Sequence, residues 1–134
     1  VYTDGSSTFN QDGLRIGGCS IWYNPNNSHN LSIHLPSHLP QTNNTAELVT
    51  ILVAVNNTPL HTPLHILSDS QYAISAITSH LTKSENEGFM NHPNENIICA
   101  LTCSLRKRSA PTHLTKVKGH SGVSGNEEAN QLAD

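Results

Sequence analysis

Short strand-like segments separated by polar turn residues fill the first third of the chain. Val1 to Ser7 reads as a strand and Leu14 to Tyr23 as a second, while Leu31-Ser32-Ile33-His34-Leu35 alternates strictly and reads as a third. Between them lie two turn signals, Asn10-Gln11-Asp12-Gly13, with its Asp-Gly pair, and Asn24-Pro25-Asn26-Asn27. Three strands joined by such short links predict an antiparallel meander. Ser37 to Gln41 follows as a proline-containing loop.

The period then lengthens. Ala46, Val49, Leu52 and Val53 mark one face of a helix from about Asn44 to Val55, and Asn44 with Glu47 has capping-box spacing. Pro59 and Pro63 break the pattern before a fourth strand, His61 to Ser68, which ends at Asp69. Ser70 to Leu81 reads as a second helix burying Tyr72, Ala73, Ile77 and Leu81. Thr82 to Asn94 is polar and irregular. Asn96 to Arg108 reads as a third helix carrying Ile97, Ile98, Leu101 and Leu105, with bases at its C-terminus that suit the helix dipole. Thr112 to Val117 is a fifth strand, Gly119-His120-Ser121-Gly122 a loop, and Ser124 with Glu127 a second capping box opening a last helix to Asp134.

The order β-β-β-α-β-α-α-β-α predicts an α/β fold. Its sheet has five strands and is mixed, a three-strand antiparallel meander plus two parallel strands, with helices on both faces. Sites in such sheets form at the carboxyl ends of strands. The 134 residues suffice for one domain with a core of its own.

Composition narrows the class. Apolar residues make up 35% and charged residues 13%, and no run of 18 apolar residues exists, which predicts a soluble domain without a membrane span. No basic segment followed by an apolar one opens the chain, so no signal peptide is expected. The chain opens inside a strand and closes inside a helix, as a domain trimmed from a longer protein would. Three cysteines, Cys19, Cys99 and Cys103, are an odd number and read as core thiols in a reducing, intracellular setting, nucleus or cytoplasm. The net charge is −3, yet five of the seven bases fall within the 13 residues from Arg106 to Lys118. Without Asp4, Glu47 and Asp69 the balance is neutral, so the acidic total does not exclude a nucleic-acid partner; it predicts modest affinity, since phosphate contacts dominate such binding.

Those three acids are the candidate chemistry. Asp4 lies in the first strand, just before a turn expected at Gly5; Glu47 lies in the first turn of the first helix; Asp69 ends the fourth strand. Each has a purely structural alternative: an Asp-Gly turn for Asp4, a capping box with Asn44 for Glu47, and the N-cap of the second helix for Asp69. Their convergence on one sheet edge is left over by all three alternatives. Acids gathered there repel unless a cation lies between them, and hard divalent cations take carboxylate oxygens. Two such cations about 4 Å apart form the clamp for in-line attack on a phosphodiester.

Four ordered segments carry a family resemblance: Tyr2-Thr3-Asp4-Gly5-Ser6; Gln41-Thr42-Asn43-Asn44-Thr45-Ala46-Glu47-Leu48; Ser68-Asp69-Ser70-Gln71-Tyr72; and Val117-Lys118-Gly119-His120-Ser121-Gly122 continuing through Gly125-Asn126-Glu127-Glu128-Ala129. On these the sequence resembles the type 1 ribonuclease H family over nearly its whole length. The resemblance implies an RNase H-like fold and an endonuclease that hydrolyses the RNA strand of RNA–DNA hybrids with two Mg2+ ions, for which Mn2+ can substitute. It implies Asp4, Glu47 and Asp69 as metal ligands and His120 as a loop histidine assisting protonation and product release. It implies hybrid contacts from Gly5, Ser6 and Gln71, minor-groove and 2′-hydroxyl reading by Asn43 and Asn44, and a DNA-phosphate pocket at Thr42 and Asn96. Phe89 is expected to pack on a deoxyribose. A monomer is implied, alone or attached to a reverse transcriptase or a hybrid-binding domain.

Three departures stand out. The family's fourth metal carboxylate belongs at position 130, where this chain has Asn130, an amide that can ligate but brings no charge. The arginine that completes the phosphate pocket is absent, with Pro40 near its place. The segment matching the family's basic protrusion, Ser79 to Asn94, has Lys83 as its only Lys or Arg. Three readings follow: a metal-dependent nuclease weakened or inactivated at Asn130; an inert RNase H-like nucleic-acid-binding or scaffolding domain of a larger polyprotein; or a nuclease or transposase of the same fold acting on DNA, against which Asn43-Asn44 before Glu47 speaks.

Overall fold

In the computed structural model, which describes residues 1–24, 26–78 and 94–118, five strands form one mixed sheet in the order β3-β2-β1-β4-β5. β1 (Tyr2–Phe9), β2 (Arg15–Trp22) and β3 (Leu31–His34) make the expected antiparallel meander, and β4 (Leu64–Ser68) and β5 (Thr112–Lys116) join it in parallel. β1 is therefore central, with an antiparallel neighbour on one side and a parallel one on the other. The β1–β2 link is built by Asn10, whose side-chain oxygen accepts from the Asp12 and Leu14 amides, and by Gly13 at φ +76°, a left-handed position that glycine adopts without strain.

Three helices are described. α1 (Asn43–Asn56) packs on β1 and β2, α3 (Glu95–Arg106) packs on α1, and the short α2 (Gln71–Ile77) touches α1, α3 and β5. Because α1 has neighbours on several sides, its buried surface is wider than one stripe. Leu48, Ile51, Ala54 and Val55 are buried with Ala46 and Val49, whereas Leu52 and Val53, expected on the buried face, are only half-buried. Ile66 from β4 and Ile97, Ile98 and Leu101 from α3 complete the core. Burying a side chain of this size stabilises by about 1.5–3 kcal/mol before chain entropy is counted.

Several boundaries shift. α1 starts at Asn43 with Thr42 as N-cap, so Asn44 and Glu47 form no capping box. β4 starts at Leu64 because residues 59–62 form a turn closed by Thr62 N–H to Pro59 O at 3.0 Å. All three cysteines are free thiols, but only Cys19 belongs to the core; Cys99 and Cys103 lie on the exposed side of α3. The expected last turn of the second helix, the polar segment with Lys83 and Phe89, the loop with His120 and the last helix with Asn130 all lie outside the described residues. Among the described residues no helix is long and apolar enough to cross a membrane.

Candidate active site

The site arises where two parallel strands part. β1 and β4 pair only at Tyr2 with Leu67 and Thr3 with Ser68. The next residue on each strand is an acid, Asp4 and Asp69, so the two lie side by side in the notch that the parting strands leave. A notch of this kind at the carboxyl end of a parallel pair is where open α/β sheets place their ligands. Asp4 lies within β1 rather than at its end, and Gly5 is a strand residue, not a turn.

Gly5 has another role. A Cβ there would lie 2.4 Å from the Glu47 backbone N and 2.5 Å from the Ala46 carbonyl carbon, so only glycine lets the first turns of α1 descend this far onto β1. Two contacts hold the approach: Thr50 Oγ1 donates to the Ala46 carbonyl at 2.6 Å and lies 3.2 Å from the Asp4 carbonyl, and Cys19 Sγ donates to the Ala46 carbonyl at 3.5 Å. Glu47 is thereby lowered onto Asp4. Carboxylate oxygens of Asp4, Glu47 and Asp69 all lie within 4.8 Å of one another, with Asp4 and Glu47 each 6% exposed and Asp69 half-buried.

The capping alternatives for these acids fall away. Thr42 caps α1 by accepting from Thr45 N–H at 3.1 Å, and Ser70 caps α2 by accepting from Ala73 N–H at 3.1 Å. The N-cap of α2 is thus Ser70 rather than Asp69, and α1 is capped by Thr42 rather than by an Asn44–Glu47 box.

The electrostatics of the cluster fall on Glu47. Burial, then the charges of Asp4 and Asp69, push its carboxyl from an ordinary 4.5 up to about 9, with a hydrogen bond to Asp4 acting in the same direction and only the Gly5 N–H opposing. Glu47 Oε2 is buried with no hydrogen-bond partner among the described residues. An orphaned carboxylate oxygen facing two further carboxylates matches the donor set of a hard divalent cation, so the residues present fit one.

A cleft of about 340 Å³ opens over the acids, lined also by Gly5, Ser6, Asn43 and Asn44. It runs on along β1 past Ser7 and Thr8 and reaches Ser70, three lining residues that the sequence does not single out. Thr42, Gln71 and Asn96 are not part of its lining. Gln71 is exposed, its amide donating to Ser75 Oγ at 2.8 Å. Asn96 lines a separate recess of about 240 Å³ with His38, Pro40, Asn94 and Glu95.

Asn94 is the polar residue that sequence reasoning missed here. It is buried; its Oδ1 accepts from Thr45 Oγ1 at 2.8 Å and its Nδ2 donates to Tyr72 Oη at 3.0 Å. Thr45 in turn bonds Thr42 at 2.9 Å. This chain ties the first turn of α1, which carries Asn43 and Asn44, to α2 and to the start of α3. An asparagine at the edge of a polar segment offers no periodic signal, so only the tertiary structure shows it.

Comparison with known proteins agrees with the architecture. Residues 1–134 match the family described as RNase H. Ribonuclease H of Schizosaccharomyces pombe is 35% identical over 136 residues, covering 99% of this chain and 50% of that protein. Ribonuclease H1 of Homo sapiens is 28% identical over 138 residues, covering 99% and 48%. The chain thus spans about half the length of these curated relatives. Among solved structures, LC9-RNase H1, a type 1 RNase H with the type 2 active-site motif, superimposes with a TM-score of 0.78 at 20% identity, covering 98% of this chain and 68% of that one. A foamy viral protease-reverse transcriptase in complex with double-stranded DNA gives 0.77 at 24% identity, covering 98% and 88%. At these identities the structural likenesses establish the fold.

Proposed function

Because the chain belongs to the ribonuclease H family, we propose that it hydrolyses the RNA strand of RNA–DNA hybrids at the Asp4–Glu47–Asp69 cleft. The observation that carries this reading is the convergence of the three carboxylates within 4.8 Å, with an unpartnered buried oxygen on Glu47. Asp4, Glu47 and Asp69 would hold two Mg2+ ions, with Asn130 as a fourth, uncharged ligand. When bound, divalent cations supply Lewis-acid polarisation of the phosphodiester and an activated water.

The chain's own residues do the rest. The Asn43 and Asn44 amides, exposed on the first turn of α1 and lining the cleft, donate to and accept from ribose hydroxyls, which lets the cleft tell RNA from DNA. Gly5 and Ser6 let the cut strand lie close to β1. Gln71, Thr42 and Asn96 contact the hybrid outside the cleft, Phe89 packs on a deoxyribose, and His120 assists protonation and product release. Glu95 beside Asn96 and the lack of an arginine there make the DNA-phosphate recess a weak one. An attached domain, in the half of the length that the relatives have beyond this match, would supply grip.

The test is cleavage of an end-labelled hybrid alongside single-stranded RNA, duplex RNA and duplex DNA, in Mg2+ and in Mn2+. Cuts confined to the RNA of the hybrid, lost in Asp4→Asn and in Asp69→Asn, are the expected result. Hybrid binding with no cleavage in either metal would assign the domain to the inert, scaffolding reading, which Asn130 favours. Equal cleavage of duplex DNA would overturn the assignment of Asn43 and Asn44.

A further inference from the structure

Arg15 is the only Lys or Arg in residues 1–82, the part of the chain that builds the acidic cleft. It lines a separate recess of about 430 Å³ with Leu14, Gly17 and Leu35, and it meets the acidic cleft through Ser7. Arg15 and Phe9 are partners in the last pair of the β1–β2 ladder. The guanidinium carbon lies 5.6 Å from the Phe9 ring centroid, and Nε donates to Ser7 Oγ at 2.6 Å. Ser7 itself lines the cleft. At ~3.3 Å per strand residue, Ser7 lies about 10 Å and Phe9 about 17 Å from Asp4. Arg15 therefore borders the cleft through Ser7, on the side of β1 that Gly5 turns toward Glu47 rather than the side from which the Asp4 side chain leaves.

Stability does not account for the arrangement. Phe9 is 69% exposed and Arg15 is exposed too, and an exposed cation–π pair contributes only about 0.5–1 kcal/mol. The contacts do fix the guanidinium's orientation. Its other N–H groups make no hydrogen bond among the described residues, so a planar donor face is held ready. A polyanion entering this cleft meets three carboxylates and, along β1, one immobilised cation.

We propose that Arg15, oriented by Phe9 and Ser7, binds a backbone phosphate of the strand that is cut, a few nucleotides from the phosphate at the acid cluster. The proposal rests on the hybrid-cleaving reading above. It makes the hairpin tip a sequence-independent grip on the hybrid.

The test uses residues 1–134 carrying Asp4→Asn, which permits binding without cleavage, and fluorescence anisotropy with a labelled hybrid over a range of salt concentrations. Adding Arg15→Gln is expected to lower the log–log salt slope by about 0.7–0.9 and to raise Kd about fivefold near ~0.15 M salt, the signature of one lost phosphate contact. Arg15→Lys keeps the slope but loses part of the affinity, because the planar, stacked donor is gone. Phe9→Ala also weakens binding with the slope retained. Unchanged slope and Kd in Arg15→Gln, with the parent still preferring hybrid over duplex DNA, would overturn the proposal and leave the functional reading standing. A parent that shows no preference for hybrid sinks both. Arg106→Gln, at the far end of α3, should leave the slope in place; an equal fall there would reduce Arg15 to a generic charge effect and also overturn it.

Discussion

Replacing Glu47 by Gln should make the metal-free protein more stable at neutral pH while removing its response to divalent cations. In the unfolded chain this carboxyl ionises near 4.5, whereas in the folded protein it holds its proton up to about 9. The folded state thus binds more protons across that window, and stability falls as pH rises through it. The contribution is fully present below 4.5 and gone above 9. Between pH 5 and pH 8, at 1.36 kcal/mol per pH unit, the loss amounts to about 4 kcal/mol at most, and relaxation at a solvent-facing cleft brings it to about 2–4 kcal/mol. For 134 residues each kcal/mol moves Tm by about 3.5 °C, so the Glu47-dependent part of the drop is about 7–14 °C. Glutamine keeps an oxygen for the Gly5 N–H and an N–H for Asp4, but has no charge to desolvate. The assay is thermal unfolding followed by circular dichroism, in chelator, at pH 5, 6.5 and 8, for both proteins. The other titrating groups, including nine histidines, are common to both, so the difference between the two curves isolates Glu47. Added Mg2+ should stabilise the parent increasingly as pH rises, since the cation takes the ionised form, and should hardly affect Glu47→Gln. Parallel Tm–pH curves for the two proteins would refute the reasoning.

Four further outcomes are expected. Asn130→Asp should raise hybrid cleavage at least about tenfold, roughly 1.4 kcal/mol of transition-state stabilisation, and more in Mg2+ than in the geometrically less strict Mn2+; a rate left unchanged by the substitution in both metals would remove position 130 from the ligand set. Gly5→Ala forces a methyl into the Glu47 and Ala46 backbone, so it should cost about 1–3 kcal/mol in chemical denaturation and weaken Mg2+ binding by calorimetry; a neutral result would mean that α1 can lift without consequence. Arg108 donates to Thr112 Oγ1 at 2.7 Å, to Pro59 O at 3.2 Å and to Thr62 O, so Arg108→Met should lower Tm by about 7 °C, for about 2 kcal/mol, without changing hybrid Kd. Residues 1–134 alone should bind hybrid weakly at physiological salt; nanomolar affinity, or a slope implying many phosphate contacts, would contradict the sparse basic charge of the chain.

Turn chemistry made the meander legible, helped by the strict alternation of the third strand, whereas β1 and β2 bury consecutive residues and show no such period. The acids were legible as types at the ends of elements. Their juxtaposition was not: it depends on β1 and β4 parting just after Thr3 and Ser68, a register that no local pattern encodes. Gly5 was misread for a related reason. Beside an aspartate it looks like a turn, yet its missing side chain answers to α1, more than forty residues away. The start of α1 was misplaced because Thr42, Asn43 and Asn44 are all plausible caps, and the Thr45–Asn94–Tyr72 bonds that favour Thr42 are tertiary. Cys99 and Cys103 look like core residues by type and spacing, but the buried stripe of α3 is set by Ile97, Ile98 and Leu101.

These particulars explain why the acids sit on rigid elements. A carboxyl held near 9 by burial and like charge is a standing cost to the metal-free fold, and a loop would relieve it by swinging outward. Here it cannot. Asp4 is locked in a central strand, Glu47 lies one turn into a helix pinned by Thr50 and by the Asn94 chain, and Asp69 is fixed between a paired Ser68 and the capping Ser70. The repulsion is therefore retained, and under the metal-binding reading proposed above, affinity for a cation and instability without it would share one origin. A substitution that loosens any anchor should reduce the cost and the affinity together, whereas Glu47→Gln removes both by deleting the charge itself.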